Sequence, residues 1–199
     1  LIDKNIVKKI LKNTKIENKN ILEIGPGLGI LTNEILNYNP KSLTIIEKDK
    51  KLYQFLLSKF KNSNTNIINE DVMNYKSTYD NYKIISNLPY NISSKIIMKL
   101  LITNQNNLKE LICMIQSELA DKFDYSKKKF NKYKFLCKFS SNYEILFRVN
   151  PNVFHPKPKV ISKVVKFKIK KQKINEDKLN FFLKNFFINK RKKNKSNKY

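Results

Sequence analysis

Residues 20–36 read "NILEIGPGLGILTNEIL" and hold every glycine of a 199-residue chain. Gly25, Gly27 and Gly29 fall within a few positions of one another. Ahead of them "ILEI" (21–24) is a short apolar run of buried-strand length. Behind them "LGILTNEILNY" (28–38) returns Leu28, Leu31, Ile35 and Leu36 at helical spacing, and reads as a helix with these residues inward. A strand entering a helix through a glycine turn is half of a nucleotide-binding βαβ unit. Glycine lets backbone come close to a ligand, and the helix N-terminus points at it. The spacing is G-x-G-x-G, not the dinucleotide G-x-G-x-x-G.

The pattern repeats outward from this turn. Residues 4–12 put Ile6, Ile10 and Leu11 on one helical face. Residues 43–47 read as a second buried strand, and 49–60 as a helix with Leu52, Phe55, Leu56 and Phe60 at helical spacing. "NIINED" is a third strand and "YKIISN" (82–87) a fourth. "SSKIIMKLL" is a helix capped by Ser93 or Ser94. "ELICMIQ" (110–116) is a fifth strand, and "SELADKF" opens another helix. Alternating strands and helices predict an α/β fold with a doubly wound, mostly parallel sheet. Continuous apolar strands agree, since they are covered on both faces.

Residues around Lys127–Lys129 read as a loop. Beyond 140 the pattern becomes extended and β-branched. "VISKVVKFKIK" alternates apolar residues with lysine from Val160, which predicts an edge strand with one solvated face. "EDKLNFFLKNFF" reads as a helix and the residues after it as a solvated basic tail. The expected division is a sheet domain over 1–172 and a basic helical appendage over 173–199.

The net charge is +25, from 41 Lys and Arg against 16 acids. Residues 157–199 alone carry +14. Two sources produce such an excess: an AT-rich genome, whose codons favour lysine and asparagine, and a polyanionic partner. Cys113 and Cys137 are far apart and read as reduced core thiols. His155 is the only histidine and stands in no ligand cluster, so no metal is expected. No apolar run has the roughly 18 residues of a membrane span. No secretory h-region opens the chain, so cytoplasm is the default expectation, with an organelle left open.

Four features fall at successive strand ends. The glycine turn follows the first strand. Glu47 ends the second, suited to accept hydrogen bonds from ribose hydroxyls. Asp71 follows the third, placed for an adenine amino group. Asn87, Leu88, Pro89 and Tyr90 follow the fourth. Proline keeps Leu88 extended and ends the strand. The Asn87 carboxamide offers an acceptor oxygen, and Tyr90 a flat ring. Together they suit a planar base with an exocyclic amine, which donates to Asn87 and to a main-chain carbonyl of the turn. Isolated, the same quartet reads as a capped turn with a packed tyrosine.

"ILEIGPGLGILT", "IEKD", "NLPYNIS" and "FHPKPKVISKVV" resemble the ribosomal RNA adenine dimethyltransferase family, and the likeness runs from Leu1 to about Lys193. The resemblance implies a Rossmann-like methyltransferase using S-adenosylmethionine. Its expected substrate is two adjacent adenosines near the 3′ end of small-subunit rRNA. It implies that Gly25 lies under the methionine part of the cofactor, with Gly27 in the same turn. Glu47 is implied to bind the ribose and Asp71 the adenine ring, with Leu1 lining the pocket. Asn87 is implied to touch both cofactor and target amine. Tyr90 is implied to stack on a flipped adenine and Phe154 to close its other face. The family's Q-N-F before the leucine and its arginine-rich R-R-K-T stretch are not matched here. The macrolide-resistance methylases, which modify large-subunit rRNA, and a non-catalytic RNA-binding or assembly factor on the same fold are the other readings. A monomer is expected.

Overall fold

Asn20–Ile24 forms a strand, β1, covered on both faces. A computed structural model describes residues 3–103, 107–155, 159–171 and 176–196. β1 lies parallel between β2 (Ser42–Glu47) and β4 (Tyr82–Asn87), with Ile24 beside Ile46 and Leu22 beside Ile84. β3 (Thr65–Asn69) pairs parallel with β2, and β5 (Leu108–Gln116) with β4. β6 (Ser141–Val149) and β7 (Ser162–Ile169) are antiparallel additions, giving the order β3-β2-β1-β4-β5-β7-β6. The doubly wound, mostly parallel sheet is therefore present. The chain leaves β1 toward β2 and β3, then returns to β4 and steps the other way. That reversal is the switch point at which sheets of this kind leave a crevice outside the carboxyl ends of the strands, here β1 and β4.

Helices cover both faces. α1 (Lys4–Leu11), α2 (Ile30–Leu36) and α3 (Lys50–Lys59) send Val7, Leu11, Ile35 and Leu56 into a layer with Ile21 and Ile45. α4 (Ser93–Thr103), α5 (Ser117–Phe123), α6 (Lys132–Ser140) and α7 (Glu176–Ser196) send Ile97, Phe123, Leu136 and Leu183 into the other, with Leu22 and Ile84. Ile21 and Leu22 go to opposite layers because strand side chains alternate. Asp3, Asp49 and Asn131 cap α1, α3 and α6 by accepting two backbone N–H groups each. Among the described residues no helix is long and apolar enough to cross a membrane.

Several expectations are corrected. Leu28 is 58% exposed, because α2 begins only at Ile30 and Leu28 still belongs to the turn. Phe55 is exposed beside buried Leu56, since neighbours on a helix point about 100° apart. Ser93 is the first residue of α4 rather than its cap, and its hydroxyl donates to Pro89 O at 2.6 Å. β7 is interior and β6 forms the edge. Two of the β7 lysines face carboxylates, Lys163 Nζ 3.0 Å from Asp121 and Lys166 Nζ 3.2 Å from Glu110, while Lys168 is exposed. α6 was not anticipated, and α7 remains helical to Ser196, where a tail was expected. Cys113 and Cys137 are free and buried; burial pushes the Cys137 thiol up to about 12.

Glu23 is a carboxyl group in the middle of β1, 1% exposed, whose Oε2 accepts from Thr32 Oγ1 at 2.6 Å. Burial pushes its pKa from 4.5 up to about 8, against the lowering effect of the Thr32 hydrogen bond. Between those pH values the unfolded chain releases a proton that the folded chain keeps. Stability from this site is complete below about pH 4.5. It then falls by about 1.4 kcal/mol per pH unit until about pH 8. Glu23→Gln retains an acceptor for Thr32 and has no proton to lose. Its melting temperature relative to the unsubstituted chain should rise from pH 5 to pH 8. Parallel melting curves across that range would mean that Glu23 is ionised in the folded chain.

Candidate functional site

The crevice floor is the glycine turn. Gly25, Gly27 and Gly29 have φ of +62°, +59° and +74°, the left-handed region that costs side-chain-bearing residues about 1–2 kcal/mol. Gly25 N donates to Ile46 O at 2.9 Å, which ties the turn to the end of β2. Ser86 Oγ donates to Ile24 O at 2.6 Å, which ties β4 to the last residue of β1. A Cβ at Gly25 would stand 3.4 Å from Pro89 Cγ, so the glycine turn and the Asn87–Tyr90 turn are in contact. A Cβ at Gly27 would meet nothing within 4 Å.

Glu47 closes the β2 side. It is 7% exposed, and its Oε1 accepts from Asp49 N at 2.8 Å. Among the described residues Oε2 has no hydrogen-bond donor on it. Asn69, its register partner on β3, donates to Glu47 O at 2.8 Å and holds the strand end. Asp71 begins the next loop. Its Oδ2 pairs with Lys48 Nζ at 2.8 Å and its Oδ1 accepts from Met73 N at 2.8 Å. The Lys48 hydrogen bond, then that from Met73, hold its carboxyl below the usual range. Lys99 on α4 fixes the same loop: Nζ donates to Val72 O, Met73 O and Tyr75 O at 2.9, 2.7 and 2.9 Å.

The quartet forms the β4 side. Asn87 Oδ1 is buried and has no hydrogen-bond partner. An orphaned buried acceptor costs about 1–3 kcal/mol. Leu88 is buried, and its N–H donates to Met114 O at 3.3 Å. Pro89 O is occupied, accepting from Ile92 N and Ser93 Oγ. Leu88 O is one of the turn carbonyls with no donor among the described residues. Tyr90 is half-buried, and its hydroxyl lies 2.6 Å from Ser162 Oγ on β7.

The structure thus brings Gly25, Gly27, Glu47, Asp71, Asn87, Leu88, Pro89 and Tyr90 to one edge of the sheet. Phe154 is 8% exposed and belongs to the core layer that includes Met114, Val149 and Val164. Leu1 lies outside the described residues. Ser162 and Lys99 were not anticipated. Ser162 had a signal, since it lies inside the "FHPKPKVISKVV" stretch; Lys99 had none, because three carbonyl acceptors are invisible in a sequence. Among the described residues no group of three His, Cys, Asp or Glu is placed to hold a metal ion.

The site fits an adenosyl cofactor carrying a reactive group. Open space lies over Gly27, Glu47 has a carboxylate oxygen for hydroxyls, and Asn87 has an acceptor without a donor. Asp71 fits less directly, since Met73 N and Lys48 Nζ already engage its two oxygens. Lys48 is mostly exposed and free to swing away.

Comparison with known proteins bears on the family and the fold. A sequence profile described as ribosomal RNA adenine dimethylase matches residues 1–197. Ribosomal RNA small subunit methyltransferase A of Malacoplasma penetrans is 42% identical over 175 residues, covering 84% of this chain and 62% of that protein. The protein of the same name from Mesomycoplasma hyopneumoniae strain J is 40% identical, covering 85% and 66%. The chain therefore spans a little under two thirds of the length of these curated relatives. A dimethyladenosine transferase from Plasmodium falciparum superposes with a TM-score of 0.75 at 27% identity, over 85% of this chain and 63% of that one. 23S rRNA methyltransferase ErmE superposes with a TM-score of 0.79 at 22% identity, over 92% and 75%, a likeness of fold. With a profile match over residues 1–197 and relatives about 40% identical across more than four fifths of its length, the chain belongs to the ribosomal RNA adenine dimethylase family.

Proposed function

We propose that this chain is an S-adenosylmethionine-dependent rRNA adenine N-methyltransferase. Its substrate is two adjacent adenosines near the 3′ end of small-subunit rRNA, which it dimethylates at their exocyclic amines. The observation that carries the reading is the buried Oδ1 of Asn87, unpartnered among the described residues and next in sequence to the open Leu88 carbonyl. Two acceptors at adjacent residues match the two N–H bonds of one amine. The choice of small-subunit RNA rests on the names of the curated relatives.

S-adenosylmethionine, when bound, supplies a methyl group on a sulfonium. Glu47 Oε2 accepts from the ribose, and Gly25 and Gly27 let the backbone lie close beneath the methionine part. The target adenine leaves its stack and lies on the Tyr90 ring, a contact worth about 1–3 kcal/mol. Asn87 Oδ1 and Leu88 O would accept from its amine, drawing the nitrogen toward tetrahedral geometry and freeing its lone pair for the methyl group, whose bond to sulfur would break to leave S-adenosylhomocysteine. Alignment of both reactants supplies most of the rate. The nitrogen sheds one proton to solvent for each methyl gained.

The test is incubation with labelled S-adenosylmethionine and undermethylated ribosomal subunits, followed by mapping of the modified bases. Two dimethylated neighbours in small-subunit RNA are expected. Label confined to the large subunit, or no label on either, overturns the proposal.

Ser162 positions Tyr90 for this task. Ser162→Ala and Tyr90→Phe each remove one partner of the 2.6 Å hydrogen bond. Each should weaken RNA binding by roughly 2- to 12-fold, the worth of one such bond. The double variant should be no worse than either single one, and Ser162→Thr should restore most of the loss. S-adenosylhomocysteine affinity should not move. An additive double variant would show that the hydroxyls act separately.

A further inference from the structure

Away from the crevice, the loop after α5 and one side of α6 enclose a cleft of about 360 Å³. Its lining is four aromatic rings and four lysines, with no acid. The arrangement begins in the sequence. Lys134 and Lys138, and Phe135 and Phe139, recur at the four-residue spacing that aligns side chains along one helix face. The Phe135 and Phe139 rings are close to parallel, 9° apart with centroids separated by 6.0 Å. Phe130 rises from the loop, 57% exposed, with Phe187 of α7 stacked against it at 5.6 Å.

The lysines divide by task. Lys134 is buried and its Nζ donates to Lys127 O at 2.7 Å, which closes the loop onto the helix. Lys127 Nζ is held by Asp121 at 2.5 Å. Lys128 and Lys138 are exposed and make no ion pair among the described residues. An apolar protein segment laid over these rings would strip water from both ammonium groups and return nothing, a costly exchange. A chain of flat bases joined by phosphates satisfies rings and charges together.

A relay of side-chain contacts links the cleft to the target-base side of the crevice. The Asp121 carboxylate that holds Lys127 also holds Lys163 at 3.0 Å. Lys163 follows Ser162, whose hydroxyl meets Tyr90. A strand leaving the Tyr90 ring finds its next foothold along this chain of contacts.

We propose that the cleft is a second binding site for single-stranded RNA. A base stacks on the exposed part of Phe130, and Lys128 and Lys138 meet the flanking phosphates. The proposal rests on the reading of the chain as an enzyme acting on RNA, and adds a site remote from the methylated base.

The test uses the full chain and a fluorescein-labelled single-stranded oligouridylate of about ten nucleotides, within the range that such sites cover, beside an RNA duplex. Phe130→Ala should weaken the single strand by roughly 5- to 150-fold, the effect of losing one stacked base. It should leave duplex binding and the salt slope alone, and Phe130→Tyr should bind as the unsubstituted chain does. The Lys128→Ala/Lys138→Ala pair should flatten the plot of log affinity against log salt by about 1.4, since each phosphate contact on a single strand contributes about 0.7. Melting curves verify that the variants fold. Unchanged single-strand affinity in both variants overturns the proposal, as does an equal loss for strand and duplex. Self-association that Phe130→Ala abolishes, with RNA binding untouched, would assign the cleft to a second copy of the chain instead. Methyl transfer is scored separately: Asn87→Ala should keep full oligouridylate affinity. Loss of the enzymatic reading would thus leave the cleft standing, and the converse holds too.

Discussion

Replacing Asn87 by alanine should abolish methyl transfer while leaving the melting temperature unchanged or raised. Most buried polar side chains are satisfied, and cutting one back usually destabilises. Here the carboxamide oxygen is buried without a partner, so the folded chain bears its desolvation cost, about 1–3 kcal/mol. Alanine removes that cost and loses only a small packing contribution, so the two offset. Transfer has no such compensation. One of two acceptors on the amine disappears, and loss of one preorganised hydrogen-bonding group at a reacting centre typically costs about 10²–10³ in rate. The rate should be measured at saturating cofactor, with thermal melting in parallel. For a chain of this size 1 kcal/mol moves the midpoint by roughly 2–4 °C. A fall of 5 °C or more would show that Asn87 serves the turn and that its orphaned oxygen has no ligand.

The same contrast between local and distant partners separates what was legible in the sequence from what was not. The central strands of the parallel sheet are visible because burial on both faces makes their middles largely apolar, as in Ile84 and Ile85 of β4. The glycine turn is visible because its three left-handed backbone conformations favour glycine. Both signals are local. β7 misleads because its alternating lysines look solvated, yet Lys163 and Lys166 are paired with Asp121 and Glu110 from distant stretches of the chain. Glu23 misleads the opposite way: a glutamate in a strand suggests a wet face, and it is buried in the middle of the sheet. α6 escaped notice because Phe135, Leu136 and Cys137 are consecutive, which blurs the helical period, and only the Asn131 cap marks its start. Within the site, the strand-end positions gave Glu47, Asp71 and Asn87. They gave neither the Ser162 hydroxyl, 72 positions from Tyr90, nor the inward packing of Phe154.

Gly29→Ala and Gly27→Ala should part stability from binding within one turn. At Gly29 a new Cβ would stand 2.7 Å from Phe60 Cε2, 2.9 Å from Phe60 Cζ and 3.2 Å from Leu56 Cδ2. Phe60 and Leu56 are both buried, so the ring has little room to give. Overpacking of this kind costs about 1–3 kcal/mol, and holding alanine at a φ of +74° adds about 1–2. The sum, about 2–5 kcal/mol, lowers the midpoint by roughly 5–20 °C. At Gly27 the backbone cost is similar, but a Cβ meets nothing within 4 Å, so the overpacking cost is absent and the midpoint should fall by only about 2–8 °C. The new methyl instead enters the open space proposed for the cofactor. S-adenosylhomocysteine binding, followed by calorimetry at a temperature where both variants are folded, should weaken at least about tenfold in Gly27→Ala, a loss of about 1.4 kcal/mol. Gly29→Ala, once folded, should bind within a few fold of the unsubstituted chain, because its methyl points into the core. Undiminished binding in Gly27→Ala would move the cofactor away from this turn and leave the three glycines with a purely structural task.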